Sequence, residues 1–179
     1  MVDFTSPAAV MENLAWCLRH GRDVVVGTSG FDAARLARVD ELIAAAGLEG
    51  KVTFEVASAQ DFGGGPFDLV TSFDCLHDMG DPLAAARHVR EQLAPDGTWL
   101  VVEPAAGRTV AENLNPVGRV YYSFSTFLCV PNALSQDGGY SLGAQAGEAA
   151  IAKLAADAGF SRFRRAAETP FNIVYEARP

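Results

Sequence analysis

The sequence predicts an α/β protein with a mostly parallel, doubly wound sheet, helices on both faces and a C-terminal antiparallel hairpin. Between Asp23 and Glu103, β-branched or apolar runs alternate with helix-patterned segments three times. Such alternation implies parallel strands joined by right-handed crossovers. The last two strand-like runs, Phe160 to Ala167 and Phe171 to Ala177, are separated only by Glu168-Thr169-Pro170, which is hairpin spacing. A chain of 179 residues, 49% of them hydrophobic, can bury one substantial core, so a single domain over 1–179 is expected.

The elements follow in order. Ser6 is a candidate N-cap with Pro7 at the first helical position, and Val10, Leu14, Cys17 and Leu18 then recur at helical spacing up to Gly21. Val24-Val25-Val26 reads as a short buried strand, and Gly27-Thr28-Ser29-Gly30 as a turn. Ala33 to Ala46, rich in alanine, leucine and arginine, reads as a helix closed by Gly47. Val52 to Val56 reads as strand, Asp61 to Pro66 with its three glycines as loop, and Phe67 to Phe73 as a near-continuous apolar strand. Asp81-Pro82 starts a helix that runs to Leu93, Pro95-Asp96-Gly97 makes a turn, and Thr98 to Glu103 is another buried strand. After a mixed segment from Arg108 to Gly147, Glu148 to Ala158 is a helix ended by Gly159.

Charge and cysteine content narrow the function classes. With 22 acidic against 14 basic residues the formal net charge is -8, which argues against a phosphate backbone as partner. Cys17, Cys75 and Cys129 are odd in number and sit in apolar segments, as buried thiols do in a reducing compartment. Their spacing supports no zinc site, so no metal is expected. Without a leader pattern or a membrane-length apolar run, the expected location is the cytoplasm.

Four stretches then carry a resemblance. They are Val56-Ala57-Ser58-Ala59-Gln60-Asp61-Phe62, the run from Phe67-Asp68-Leu69-Val70 through Phe73-Asp74-Cys75-Leu76-His77-Asp78-Met79, then Leu93-Ala94-Pro95-Asp96-Gly97 and Val101-Val102-Glu103-Pro104. In this order and at these spacings they resemble the signatures that follow the second strand of class I S-adenosylmethionine-dependent methyltransferases, as does the closing hairpin. The resemblance covers about Gly30 to Pro179. It implies a Rossmann-like fold, S-adenosylmethionine as cofactor and a small molecule as methyl acceptor.

It also implies site residues. Ala59, Gln60 and Asp61 would border the adenine, whose amino group needs an acceptor such as an amide oxygen or a carboxylate. The competing reading of Gln60 and Asp61 is a solvated loop. Phe73 and Asp74, at the carboxyl end of a parallel strand, would wall the methionine portion. His77, beside Asp74 and Asp78, is the candidate catalytic residue, an imidazole able to take a proton from an acceptor hydroxyl or amine; a packing role is the alternative. Glu103-Pro104 is expected at the pocket rim, His20 as a helix cap and His88 at the surface. The 108–147 segment, with Tyr121, Tyr122, Phe124 and Phe127, resembles the family's cover over the acceptor. Aromatic walls suit an apolar or ring-bearing acceptor, although core packing or a homodimer contact would use the same residues.

The amino-terminal part fits the family poorly. Only one strand is legible before the helix at Ala33, and Gly27-Thr28-Ser29-Gly30-Phe31-Asp32 is a poor substitute for a G-x-G-x-G turn. If Val24 to Gly27 is the family's second strand, Asp32 would hold the ribose, but the sheet would lack its central strand, at about 1–3 kcal/mol for each buried unpaired amide. If that strand moves to the central position, the sheet is one βα unit shorter than usual. Gly27 and Gly30 would then stand at the cofactor's turn with Asp32 too close to clamp a ribose. The second placement is favoured because its crossover can remain right-handed. A methyltransferase impaired by a truncated cofactor site is thus the leading expectation. The alternative is a catalytically inactive methyltransferase-like domain that acts through protein association. A nicotinamide-dependent oxidoreductase is set aside for want of G-x-G-x-x-G.

Overall fold

A computed structural model describes residues 2–3, 9–20, 25–26, 32–50 and 57–179. Contacts gather into two compact units, Met1–Val56 and Ala57–Pro179, and each is taken by itself.

In the first unit, β1 (Val2–Asp3) pairs in parallel with β2 (Val25–Val26). This corrects the expectation of one strand ahead of Ala33: a two-residue strand is too short to leave a period-two pattern. Helix α1 (Ala9–Arg19) follows β1, and α2 (Ala33–Ala45) follows β2. Leu14 of α1 meets Val39 and Ile43 of α2 in a small buried cluster. Gly47, at φ 67, supplies the left-handed residue that ends α2. The expected cap at Ser6-Pro7, the Gly27 to Gly30 turn and the Val52–Val56 strand lie outside the described residues.

The second unit carries the sheet that the alternation predicts. Its strands are β3 (Phe67–Phe73), β4 (Leu93–Pro104), β5 (Arg162–Glu168) and β6 (Asn172–Arg178), in the order β3-β4-β6-β5. β3 and β4 are parallel, and β6 runs antiparallel to both β4 and β5. The Pro95-Asp96-Gly97 turn survives as a register jump, for Phe67 faces Leu93 while Leu69 already faces Thr98. β3 is less apolar in its surroundings than its sequence suggests, since Leu69 is exposed.

Helix α3 (Pro82–Gln92) is capped by Asp81, whose carboxylate accepts the Ala84 N–H, and α6 (Gly147–Asp157) ends before Gly159 at φ 94. Both pack on one face of the sheet. Trp99 and Val101 of β4 alternate with half-buried neighbours, as do Ile173, Tyr175 and Ala177 of β6. These residues meet Ala86 and Val89 of α3 and Ile151, Leu154 and Ala155 of α6, so a period of two faces a period near 3.6. β5 is an exposed edge, occupied by charged residues such as Arg164, which pairs with Glu176 at 2.6 Å.

The segment left unassigned in sequence is largely helical. α4 (Pro116–Phe124) is capped by Asn115, a π-helical turn covers Ser125–Cys129, and α5 (Val130–Leu134) continues it. Residues beyond α5 return to the turn after β3, where Tyr140 N–H donates to the Gly80 carbonyl at 3.0 Å. The approach is close: a Cβ on Gly80 would lie 2.5 Å from the Asp137 carbonyl oxygen, and one on Gly138 2.3 Å from the Gly80 oxygen. Backbone oxygens cannot give way as a side chain does. Gly80→Ala is therefore expected to lower unfolding free energy by about 1–3 kcal/mol, whereas Gly63→Ala, which meets nothing within 4 Å, is near neutral; urea titration of both variants checks this.

Candidate active site

The carboxyl ends of the parallel strands β3 and β4 lie side by side, the edge where open α/β sheets bind ligands. β3 ends at Phe73. Asp74 extends the ladder by one bond, its N–H donating to the Val102 carbonyl at 2.7 Å, and then turns the chain at φ 52. Asp is among the few residues that tolerate this left-handed region. A single 3-10 turn, Leu76–Asp78, follows and carries His77.

Glu103 fixes that turn. One carboxylate oxygen, Oε1, accepts the Leu76 N–H at 2.9 Å, and the other, Oε2, accepts the His77 Nδ1–H at 2.6 Å. Glu103 is only 3% exposed and His77 4%, so both bonds are sheltered from water. With Nδ1 committed to Glu103, Nε2 is the ring atom left for chemistry, 3.4 Å from Asp78 Oδ1. Glu103 was expected at the pocket rim, and the structure corrects this to a buried partner of His77. The available signal was an acidic residue ending an otherwise apolar strand beside β3.

Electrostatics follow from this burial. For His77, desolvation works to lower the pKa but is outweighed by the Glu103 hydrogen bond and by the charges of Glu103, Asp78 and Asp74, so the pKa rises. Burial raises the Glu103 carboxyl against the opposing pull of His77. Asp74 is raised chiefly by burial, with Asp78 adding and His77 opposing. Burial pushes the Cys75 thiol up to about 12, which removes it as a nucleophile at neutral pH.

The helical cover grips the same turn from outside. Gly143 N–H donates to the His77 carbonyl at 3.2 Å, and the side-chain amides of Asn132 and Gln136 donate to the Asp78 carbonyl at 3.2 and 2.9 Å. Tyr121 Oη donates to the Phe171 carbonyl at 2.8 Å, and its pKa is raised by burial and by Asp74. Of the four aromatics expected to form an acceptor wall, Phe124 and Phe127 instead face solvent.

The expected cofactor residues take different roles. Ala59 and Gln60 line a cavity of about 280 Å³ together with Ser58, Met79, Asp81, Gln136 and Asp137. Gln60 Nε2 donates to the Asp81 carbonyl at 3.3 Å. Asp61 turns away: its Oδ1 accepts from Ser58 N–H at 2.7 Å and from Ser58 Oγ at 2.8 Å, bonds that lower its pKa. Asp32, in the other unit, is the N-cap of α2, with Oδ1 accepting Arg35 N–H at 2.8 Å and Oδ2 paired with the Arg35 guanidinium at 2.9 Å. Both of its oxygens are engaged within its own helix. Gly27 and Gly30 lie outside the described residues. His20 caps α1 through the Trp16 carbonyl as expected, whereas His88 is no mere surface residue: its Nε2–H holds the Phe62 carbonyl at 2.7 Å.

Comparison with known proteins gives two answers. Among solved structures the chain resembles an O-methyltransferase family protein from Burkholderia thailandensis, with TM-score 0.58, 20% identity, and 99% of this chain and 50% of that one covered. It likewise resembles PigF solved with SAH, with TM-score 0.60, 15% identity, and 99% and 50% covered. The mitomycin 7-O-methyltransferase MmcR gives TM-score 0.56, 16% identity, and 89% and 43% covered. At these identities the likeness establishes a shared α/β fold.

The sequence of residues 1–54, however, matches the family model described as dihydrodipicolinate reductase, N-terminus. The 4-hydroxy-tetrahydrodipicolinate reductase of Thermobifida fusca is 49% identical over 63 residues, which is 35% of this chain and 24% of that protein. That of Corynebacterium aurimucosum is 62% identical over 39 residues, 22% of this chain and 16% of that protein. The chain thus spans about a quarter or less of these relatives and about half of the structures it resembles. A nicotinamide-dependent oxidoreductase was set aside in sequence for lack of a glycine fingerprint, yet residues 1–54 are where the reductase model matches.

Removing one partner of the buried pair leaves the other unsatisfied. Glu103→Ala is expected to cost about 3–5 kcal/mol of unfolding free energy, because His77 Nδ1–H and Leu76 N–H both lose their acceptor; chemical denaturation against the parent chain measures it.

Proposed function

We propose that the chain is a methyltransferase-type domain whose second unit carries the base for methyl transfer from S-adenosylmethionine to a hydroxyl-bearing small molecule. The observation that carries this reading is the sheltered Glu103–His77 bond at the strand tips. His77 Nε2 receives the acceptor's proton, and Glu103 holds the ring in the required tautomer and offsets the charge it gains. A positioned base of this kind typically contributes about 10²–10⁴ in rate. Asp74 and Tyr121 face the same strand tip and bound the acceptor side.

For the cofactor, the fit is partial. The cavity beside Ala59 and Gln60, at about 280 Å³, suits one ring rather than a whole nucleoside with its side chain. Gln60 offers an amide to an adenine, while Asp32 is committed to its own helix. Bound S-adenosylmethionine would supply an electrophilic methyl group. The chain's own residues would orient the acceptor, shelter the site and move the proton from the acceptor oxygen to His77 Nε2.

A second reading is favoured by the engaged Asp32 and by the reductase likeness of residues 1–54. In it the domain binds no methyl donor and acts by association, for instance as a homodimer through the exposed Phe124, Phe127 and Leu128 of the cover. The acidic balance, -8 overall, speaks against nucleic acid as partner in either case. No helix among the described residues is long and apolar enough to cross a membrane.

Calorimetry with S-adenosylmethionine and its demethylated product is expected to show binding, and His77→Ala to keep that binding while losing about 10²–10⁴ in methyl-transfer rate. No heat at millimolar ligand, with a dimer in light scattering, would replace the first reading by the second. A pH–rate profile adds a test of sign. Because the His77 pKa is raised from 6.5, the ring stays protonated, and useless as a base, to a higher pH, so the acid limb lies above that value. Glu103→Gln removes a raising contribution and is expected to move the limb to lower pH.

A further inference from the structure

We propose that His77, Asp78 and Cys129 form a binding site for a divalent transition cation, zinc by ligand chemistry, with Glu103 as the carboxylate that orients the histidine. Sequence spacing gave no hint of this, because Cys129 is brought in by the π-helical turn Ser125–Cys129 from far along the chain.

One candidate ligand atom from each of His77, Asp78 and Cys129 lies within 4.8 Å of the other two. Zinc bonds of about 2.0–2.3 Å in a tetrahedron need ligand atoms roughly 3.3–3.8 Å apart, so closing the triangle takes about one ångström of side-chain rotation. His77 Nε2 and Asp78 Oδ1, at 3.4 Å, already stand at that separation. An imidazole nitrogen, a carboxylate oxygen and a thiolate sulfur together suit zinc better than calcium or magnesium, which prefer oxygen alone.

Two further observations point the same way. Asp78 Oδ1 is buried without a full hydrogen bond, and the Asp78 carboxyl stands between His77 Nε2 at 3.4 Å and the Cys129 thiol, which burial and Asp78 raise to about 11 until a cation displaces its proton. His77 also has the partner that zinc-binding histidines usually have: Nδ1–H donates to Glu103 at 2.6 Å, which directs the Nε2 lone pair toward the cluster. Three protein ligands leave a fourth position open, the pattern of exchangeable rather than structural zinc.

In the binding step the cation takes the Nε2 lone pair and an Asp78 oxygen, and the Cys129 S–H bond gives way to a sulfur–metal bond with one proton released to solvent. No redox change is needed. Binding does not depend on the methyl-transfer reading. Its consequence for catalysis does rest on it, since a metal on Nε2 removes the base.

Titration of the tag-free full chain with cobalt(II) provides the test, because thiolate coordination gives a near-ultraviolet charge-transfer band and tetrahedral geometry gives intense visible bands. The expected result is saturation near one equivalent and bleaching by zinc. Cys129→Ser abolishes the charge-transfer band, while Cys17→Ser and Cys75→Ser keep it. Asp78→Asn is the second variant, expected to weaken cobalt binding at least tenfold. It is suited to the purpose because the fold holds Asp78 through its backbone carbonyl, which the substitution spares. Absence of a thiolate band in the parent chain, or a band and affinity unchanged in Asp78→Asn, overturns the proposal; so does a band that survives Cys129→Ser.

Discussion

The second unit is organised around a carboxylate that cannot remain alone. Glu103 ends a strand with its side chain withdrawn from water, and an unpaired charge there would be costly enough to exclude the arrangement. Its two oxygens are satisfied by the Leu76 amide and the His77 ring, which fixes the tip of β4 to the turn after β3. The cover then attaches to that turn through the carbonyls of His77, Asp78 and Gly80. Strand tip, turn and cover therefore form one hydrogen-bonded structure, and the position of the His77 imidazole follows from a strand residue 26 positions away.

Local pattern made much of this legible. Phe67–Phe73, the Asp81-Pro82 start of α3, α2 and α6 with their closing glycines, and the terminal hairpin were all readable because caps, glycines and apolar periods are short-range signals. Ala59 with Gln60, which share a cavity, and Asp74 with His77, which follow β3, were proposed as site residues from the order of motifs. What escaped was long-range or very short. Glu103 could be seen as an acid at a strand end, but its bond to His77 requires β3 and β4 to be adjacent and in register. Cys129 approaches His77 only because a π-helical turn shifts the helix face, and apolar spacing does not announce such a turn. β1 is two residues long and gives no period at all.

Two likenesses meet in the chain. Residues 1–54 match the family model described as dihydrodipicolinate reductase, N-terminus, and the division between compact units falls at Val56, almost at the same place. Both families are built from strands and helices in alternation, so one fragment can be laid over the other's architecture while its side chains serve different ends. Asp32 illustrates the point. Its place in the chain suggested a ligand for a nucleoside, yet its hydrogen bonds belong to the helix it starts.

The Gly80–Gly138 approach constrains how this domain could diversify. Backbone lies against backbone there, leaving no space for a side chain at either glycine. Novelty in what is recognised must instead accumulate across Val110, Leu114, Val120, Phe124 and Phe127, whose side chains stand in open solvent and can be exchanged at little cost to folding. Glycine at both positions is thus a requirement of the backbone itself, whatever side chains the outer surface carries.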